Sequence, residues 1–146
     1  MKVVIQRVSR ASCKVDNEII NAINKGYLLL VGFTEGDNID NVKQMAQKIA
    51  NLRIFEDENN KLNLNIMDAQ GDILSISQFT LYGDTRKGNR PSFTKALDPA
   101  IAERLYYEFN QILNDTYHIT TKAGVFGAHM EIELVNDGPV TIILEY

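Results

Sequence analysis

The chain has 146 residues, of which 45% are hydrophobic and 23% charged, and its formal net charge is −4. This length fits one domain with one core. No run of about 18 apolar residues occurs, so we expect no membrane-spanning segment. The acidic balance argues against broad, non-specific binding to nucleic acid, which depends on neutralising phosphates. The single Cys13 has no partner for an internal disulfide, and we expect it to be a half-buried filler in a cytoplasmic protein.

Strands dominate the first part of the chain. The opening residues MKVVIQRVSR carry charges among apolar residues and are typical of a strand rather than a signal peptide. Residues 2–8 and 11–16 are predicted to be paired strands around Ser9 and Arg10. Residues 18–23 continue the sheet. The near-continuous apolar run 26–33 predicts a strand buried on both faces.

The first helix is predicted over residues 38–51, where apolar residues recur at helical spacing. Asp37 or Asn38 is the expected N-cap, because a short polar side chain accepts a hydrogen bond from an unpaired backbone N–H. Residues 56–63 are predicted to form a polar loop. Residues 72–82 are predicted to form one strand.

The second helix is predicted over residues 99–114, with Asp98 as N-cap and Pro99 at the first helical position. Two strands, 129–135 and 140–145, follow with alternating apolar residues. The apolar face of the second helix is expected to consist of Ile101, Leu105, Phe109 and Ile112. The fold class is therefore predicted as α+β, a single domain spanning 1–146 with a largely antiparallel sheet or open β-barrel and two helices.

The sequence lacks the residues that several common kinds of functional site require. The only histidines are His118 and His129, with no cysteine or paired carboxylates at ligand spacing, so no metal site is predicted. His129 is expected to be a surface group. Gly83 and Gly88 have the glycine spacing of a phosphate loop, but the Lys-Ser/Thr that must follow is absent. No Gly-x-Ser-x-Gly motif occurs, and we expect no cofactor.

The segment ISQFTLYG combines strand character with polar residues just before Gly83. In a regular strand Gln78 and Thr80 share one face, and Ser77 and Phe79 share the other. Thr80 is a weak nucleophile without a base, and none is near it in sequence. Backbone N–H groups at such a strand end are able to hold a developing oxyanion. The alternative is an ordinary solvated face.

The segment Asn136-Asp137-Gly138-Pro139 separates the last two predicted strands. Asp137-Gly138 is a good hairpin turn signal. Pro139 has no N–H to donate, so it belongs at a strand start or an edge. The Gly138-Pro139 bond is a candidate for the cis form, which would turn both carbonyls to one side of a small rigid tip. A plain turn is the alternative.

One basic cluster occurs in this acidic chain. Arg86, Lys87 and Arg90 stand together in DTRKGNRPSF. They are either part of a solvated loop or a local patch for a polyanion.

Three segments resemble the D-aminoacyl-tRNA deacylase (D-tyrosyl-tRNA deacylase) family. They are MKVVIQRVSRASCKV, SQFTLYGDTRKGNRPSF and GVFGAHMEIELVNDGPVT, in this order and over nearly the full length. The resemblance implies hydrolysis of the ester bond of D-aminoacyl-tRNA, which is chiral proofreading in translation quality control. It also implies cleavage of glycyl-tRNA formed on alanine tRNA, because glycine has no side chain to reject.

The resemblance further implies a homodimer with active sites at the subunit interface, binding the 3′ acceptor end of aminoacyl-tRNA. Gln78, Phe79 and Thr80 would be catalytic, and Ser77 would line the pocket for the terminal adenosine. The partner's Gly-Pro tip would contact the substrate amino group and reject L-amino acids. The remaining implied binding residues are Arg7, which would hold the tip, Phe126 and Met130 around the adenosine, and Gly138 and Pro139 of the tip itself.

Within this family Thr80 is interpreted either as a nucleophile or as a positioning group, with the terminal ribose hydroxyl of tRNA assisting proton transfer. The absence of a neighbouring base favours positioning. Two other functions stay open from the residues alone: a dimeric RNA-binding module without catalysis, and an esterase for small molecules.

Overall fold

A computed structural model describes residues 1–146. One mixed sheet contains most of the strands and two helices pack on it. The elements in chain order are β1 Lys2–Val15, β2 Glu18–Ile23, β3 Gly26–Gly32, α1 Ile39–Asn51, β4 Phe55–Glu56, β5 Leu62–Leu64, β6 Asp72–Ser77, a 3₁₀ helix Phe79–Tyr82, α2 Pro99–Asp115, β7 Thr121–Ala123 and β8 Glu131–Glu145.

β1 is a single strand of 14 residues, so the prediction of two strands paired around Ser9 and Arg10 is wrong. Its first half, from Lys2 to Val8, pairs with β3, and its second half, from Ala11 to Val15, pairs with β2. Both partners are antiparallel to β1. Ser9 and Arg10 are exposed at the junction between the two halves. The turn-like polar residues mark a change of partner and not a reversal of the chain.

β8 is also one strand, of 15 residues, and the predicted hairpin at Asn136–Pro139 is wrong. It runs antiparallel to β1 from end to end. Gln6 pairs with Thr141 and Val8 pairs with Asn136, so residues 137–140 oppose the single residue Arg7. The four residues therefore leave the ladder as one large bulge. The peptide bond between Gly138 and Pro139 is cis, as the sequence suggested. We call residues 137–139 the tip.

The rest of the sheet is parallel. β3 pairs with β6 and β6 pairs with β7, giving the order β2-β1-β3-β6-β7. The first and last strands of this order meet through side chains. The Asn21 amide donates to the Ala123 carbonyl at 2.7 Å, and the Lys122 ammonium donates to the Ala22 carbonyl at 2.7 Å. The sheet is thus nearly closed into a barrel, which confirms the α+β prediction of a sheet or open barrel with two helices.

The two helices cover the main core, a cluster of 22 buried residues. α1 begins where expected, with a capping box between Asn38 and Asn41. Asp98 caps α2 by accepting hydrogen bonds from the Ala100 and Ile101 amides. The buried face of α2 is partly rotated from the prediction, because Ile101 is 43% exposed while Tyr106 is fully buried. Neither helix is both long and apolar enough to cross a membrane.

Two short pairings were not predicted. β4 and β5 form a hairpin at the ends of the predicted polar loop 56–63. β7 has only three residues, too few for a recognisable alternation. Cys13 is fully buried rather than half-buried, and burial raises the pKa of its thiol, so it is a packing residue and not a nucleophile.

Candidate functional site

The strand predicted over 72–82 ends at Ser77, five residues early, because the chain turns into a 3₁₀ helix. The Gln78 amide makes the last ladder bond, to the Val31 carbonyl at 2.7 Å. The first bond of the turn is donated by the Leu81 amide to the Gln78 carbonyl at 3.3 Å. The N–H groups of Phe79 and Thr80 lie before that bond, where helix geometry supplies no internal acceptor.

Gln78 and Thr80 are brought together by this turn and not by strand alternation. The Gln78 side-chain nitrogen donates to Thr80 Oγ1 at 2.5 Å. A neutral amide is not a base, and its N–H occupies a lone pair of the hydroxyl oxygen. The Thr80 hydroxyl is exposed and its hydrogen is free to donate outward. This arrangement is suited to positioning a substrate.

A cavity of about 630 Å³ opens beside the turn. Its lining is mostly apolar, with a few polar groups, as is usual for ligand sites. The structure brings five of the sequence-predicted site residues together in this lining: Ser77, Gln78, Phe79, Phe126 and Met130. Thr80 follows directly on the exposed side of the turn. Arg7, Gly138 and Pro139 do not line the cavity.

Aromatic rings stand on two sides of the cavity. Phe126 packs on Tyr106 with ring centroids 5.9 Å apart. Tyr106 is buried, which raises the pKa of its hydroxyl, and it donates to the Ser75 carbonyl at 2.7 Å. Phe79 meets Phe93 edge to face at 5.1 Å. Phe93 was not predicted, although its segment was recognised.

His129 was expected at the surface and is exposed, but it also lines the cavity. The start of α2 contributes Asp98 and Pro99 to the same lining. Across the whole chain, no group of three or more His, Cys, Asp and Glu side chains is placed to hold a metal ion.

The wall formed by residues 95–97 is tied to the end of β3. The Thr34 hydroxyl donates to the Lys95 carbonyl at 2.6 Å, and the Leu97 amide donates to the Phe33 carbonyl at 3.1 Å. Asp37 accepts from the Thr34 amide at 2.8 Å and pairs with the ammonium of Met1 at 2.6 Å. These bonds fix the first turn of α2 against the cavity.

The absence of a side chain at Gly124 leaves room for Met130, which lines the cavity. A Cβ built on Gly124 would lie 2.6 Å from Met130 Sδ and 3.0 Å from Ile76 Cδ1. The Gly124 amide donates to the Ser75 carbonyl at 2.9 Å, so its backbone cannot retreat without losing that bond. Sequence reasoning missed Gly124, whose only signal was its place as the first residue of the segment GVFGAHMEIELVNDGPVT.

The tip is anchored by Arg7, which is 4% exposed. Arg7 Nε donates to the Asp137 carbonyl at 2.9 Å, and Nη1 donates to the Ile54 carbonyl at 2.9 Å. The carboxylates of Glu56 and Asp137 lie 3.6 and 3.7 Å from the guanidinium. Gly138 has φ +130°, and a Cβ there would lie 3.2 Å from Arg7 Nη2. Gly138 and Pro139 themselves are exposed.

The basic cluster is only partly available. Arg86 forms a bidentate ion pair with Asp84, and these hydrogen bonds hold the pKa of the Asp84 carboxyl well below its usual range. Lys87 and Arg90 are exposed and have no ion pair. Two of the three cations are therefore free to meet an anion.

Known proteins resemble the chain over its whole length. The family described as D-Tyr-tRNA(Tyr) deacylase matches residues 4–145. A D-aminoacyl-tRNA deacylase of Lactobacillus gasseri is 54% identical over 146 residues, covering 99% of both chains. One of Bacillus pumilus is 53% identical, covering 99% of this chain and 98% of the relative.

Two solved structures share the fold. A protein called c-Myc DNA Unwinding Element Binding Protein has a TM-score of 0.94 and 45% identity, covering 100% of this chain and 99% of that chain. A structure described as a probable eukaryotic D-amino acid tRNA deacylase has a TM-score of 0.86, covering 98% of this chain and 97% of that chain. At 15% identity the second likeness shows the fold alone.

Gly124→Ala is expected to push Met130 into the cavity and, if the cavity holds the substrate, to raise KM for D-aminoacyl-tRNA several-fold. A double-mutant cycle with Met130→Ala checks the cause, because coupled neighbours are non-additive. In the Met130→Ala background the alanine at position 124 should have little further effect on KM. An equal effect in both backgrounds would show that Gly124 acts through something other than Met130.

Proposed function

The chain belongs to the D-Tyr-tRNA(Tyr) deacylase family and is a D-aminoacyl-tRNA deacylase, a hydrolase; we propose that it performs this reaction in the cavity at the end of β6. The observation that carries the proposal is the meeting of Ser77, Gln78 and Phe79 with Phe126 and Met130 in one lining. The terminal adenosine of the tRNA lies between Phe126 and Met130, and the ester carbonyl faces the turn. The activity is cytoplasmic, where aminoacyl-tRNA is used.

Water adds to the ester carbonyl carbon and gives a tetrahedral oxyanion. The Phe79 N–H, which has no acceptor within the turn, donates to that oxyanion, and the Gln78 side chain lies beside it. The bond to the ribose oxygen then breaks, and the neighbouring ribose hydroxyl relays the proton from water to that oxygen. The products are a free D-amino acid and tRNA, and no cofactor takes part.

Thr80 positions the substrate in this scheme. Its oxygen already accepts from Gln78, and the structure places no His or carboxylate in contact with its hydroxyl. The remaining hydroxyl hydrogen donates to the substrate.

The tip belongs to the active site of a second copy. Gly138 and Pro139 are exposed and do not line the cavity of their own chain. β8 pairs only with β1, so its other edge is free along 15 residues, and a free edge of that length favours association. In the homodimer the tip carbonyls accept from the substrate ammonium and leave no room for an L side chain. Glycyl-tRNA formed on alanine tRNA is cleaved as well, because glycine has no side chain to exclude.

The relative named for binding a DNA unwinding element does not change this proposal. That name describes the other protein. In this chain the net charge is −4, and broad binding to duplex DNA needs many phosphate-neutralising cations.

The test is hydrolysis of D-tyrosyl-tRNA and L-tyrosyl-tRNA side by side, near neutral pH and without added metal. Fast loss of the D form alone supports the reaction and the chiral filter. Cleavage of neither form would favour the RNA-binding alternative. Cleavage of both, together with free aminoacyl esters, would favour a general esterase.

Thr80→Ala is expected to lower kcat by about tenfold to a hundredfold. The variant loses one hydrogen bond to the substrate, on which negative charge develops during the reaction. Loss of a true nucleophile costs about a millionfold. Single-turnover hydrolysis of D-tyrosyl-tRNA measures the difference. Complete loss of activity with normal substrate binding would make Thr80 the nucleophile.

Arg7→Lys is expected to weaken chiral discrimination, because a single ammonium cannot span the Asp137 and Ile54 carbonyls that the planar guanidinium joins. The ratio of D-tyrosyl-tRNA to L-tyrosyl-tRNA hydrolysis should fall about tenfold. Arg10→Lys, on the exposed part of the same strand, is the matched control. An unchanged ratio in the Arg7 variant would mean that Arg7 does not hold the tip for recognition.

Lys87→Ala/Arg90→Ala is expected to raise KM for D-tyrosyl-tRNA and to flatten its salt dependence. Each lost phosphate contact should reduce the slope of log(kcat/KM) against log[salt] by about 0.7. Lys48→Ala/Lys61→Ala removes the same charge from exposed positions outside the cavity lining. If both pairs change the slope equally, the loop is only a solvated surface.

A further inference from the structure

Two aromatic side chains stand at the rim of the cavity, and the reaction above gives their rings no role. The rings of Phe79 and Phe93 both contribute to the lining, yet Phe79 is 58% and Phe93 38% exposed. Their centroids are 5.1 Å apart at an interplanar angle of 67°. Edge-to-face packing uses the edge of one ring and one face of the other, so ring faces remain uncovered.

The backbone fixes both rings. Phe79 opens the 3₁₀ helix, and Phe93 follows a closed loop in which the Asp84 and Ser92 amides donate to each other's carbonyls at 2.8 and 2.9 Å. A Cβ on Gly83 would lie 3.0 Å from Phe93 Cε1, so the glycine leaves space for the Phe93 ring. A rigid pair loses little entropy when a flat partner stacks on it.

The charges on the loop that leads into Phe93 indicate the kind of partner. The loop between Asp84 and Ser92 carries the free cations Lys87 and Arg90, while Arg86 is neutralised by Asp84. Exposed aromatic faces that follow a loop with unpaired cations match a single-stranded nucleotide, which offers a base for stacking and a phosphate for pairing.

We propose that Phe79 and Phe93 form a platform on which the base preceding the terminal adenosine of the tRNA acceptor end stacks. This rests on the proposed function, in which the adenosine itself lies between Phe126 and Met130. The platform extends recognition by one nucleotide toward the acceptor stem. Phe93 is thereby a binding residue for the nucleic acid part of the substrate.

The experiment compares the D-tyrosyl ester of adenosine with the D-tyrosyl ester of the dinucleotide CpA. With the wild-type protein kcat/KM for the CpA ester should exceed that for the adenosine ester by about tenfold, the size of one base stacked on an aromatic ring. Phe93→Leu should abolish most of this preference by raising KM for the CpA ester alone. Phe93→Tyr keeps the ring and should restore the preference.

Each other outcome overturns the platform. An undiminished CpA preference in Phe93→Leu means that the ring does not bind the base. Equal losses with both esters mean that Phe93 only supports the turn. Sedimentation of wild type and Phe93→Leu is compared as well, and a change between them means that the pair contacts a second copy. A wild-type protein that cleaves the adenosine ester without preferring CpA refutes the platform alone. A wild-type protein that cleaves D-tyrosyl-tRNA but neither ester refutes the platform, because recognition then depends on tRNA beyond the CpA end. A wild-type protein that also fails to cleave D-tyrosyl-tRNA refutes the proposed function.

Discussion

The structure depends on the pairing of β1 along both of its edges. One edge takes β3 and then β2, and the other takes β8 over its whole length. Because β8 has four residues where β1 has only Arg7, the extra residues must leave the sheet. Arg7 fixes the conformation of these extra residues, since its buried guanidinium donates hydrogen bonds to the Asp137 and Ile54 carbonyls. The position of the tip is thus set by strand register and by one buried cation, and not by a free loop.

The same sheet also determines the position of the cavity, which lies at the end of β6 and not at the tip. β6 runs parallel to β3, and its ladder stops at Gln78, so the unpaired amides of the 3₁₀ turn begin where the sheet ends. The bond from the Leu97 amide to the Phe33 carbonyl then draws the start of α2 over that end. Within one chain the tip does not line the cavity. Under the proposed dimer each tip completes the site of the other copy.

Local signals were sufficient for the helices. The Asn38 and Asp98 caps act on amides within three residues, and the helical spacing of apolar residues is equally local. Local signals failed where pairing partners are distant: a polar interruption at Ser9, or a turn signal at Asp137-Gly138, looks the same in a hairpin and in a continuous bulged strand. The resemblance identified Ser77, Gln78 and Phe79, which the structure gathers in one cavity. Gly124 and Phe93 could not be predicted, because their importance lies in contacts with residues elsewhere in the chain.

The charge of the chain shows why a net value is a poor guide to its substrate. At physiological salt, exposed charges are screened over about 8 Å, so most of the carboxylates behind the net charge of −4 have little effect at the rim of the cavity. What matters there is the local balance. Asp84 neutralises Arg86 but also accepts from the Arg86 amide, which shapes the loop that presents Lys87 and Arg90. Under the proposed function, this small basic loop in an acidic protein contacts the tRNA locally and leaves most of the polyanion unbound.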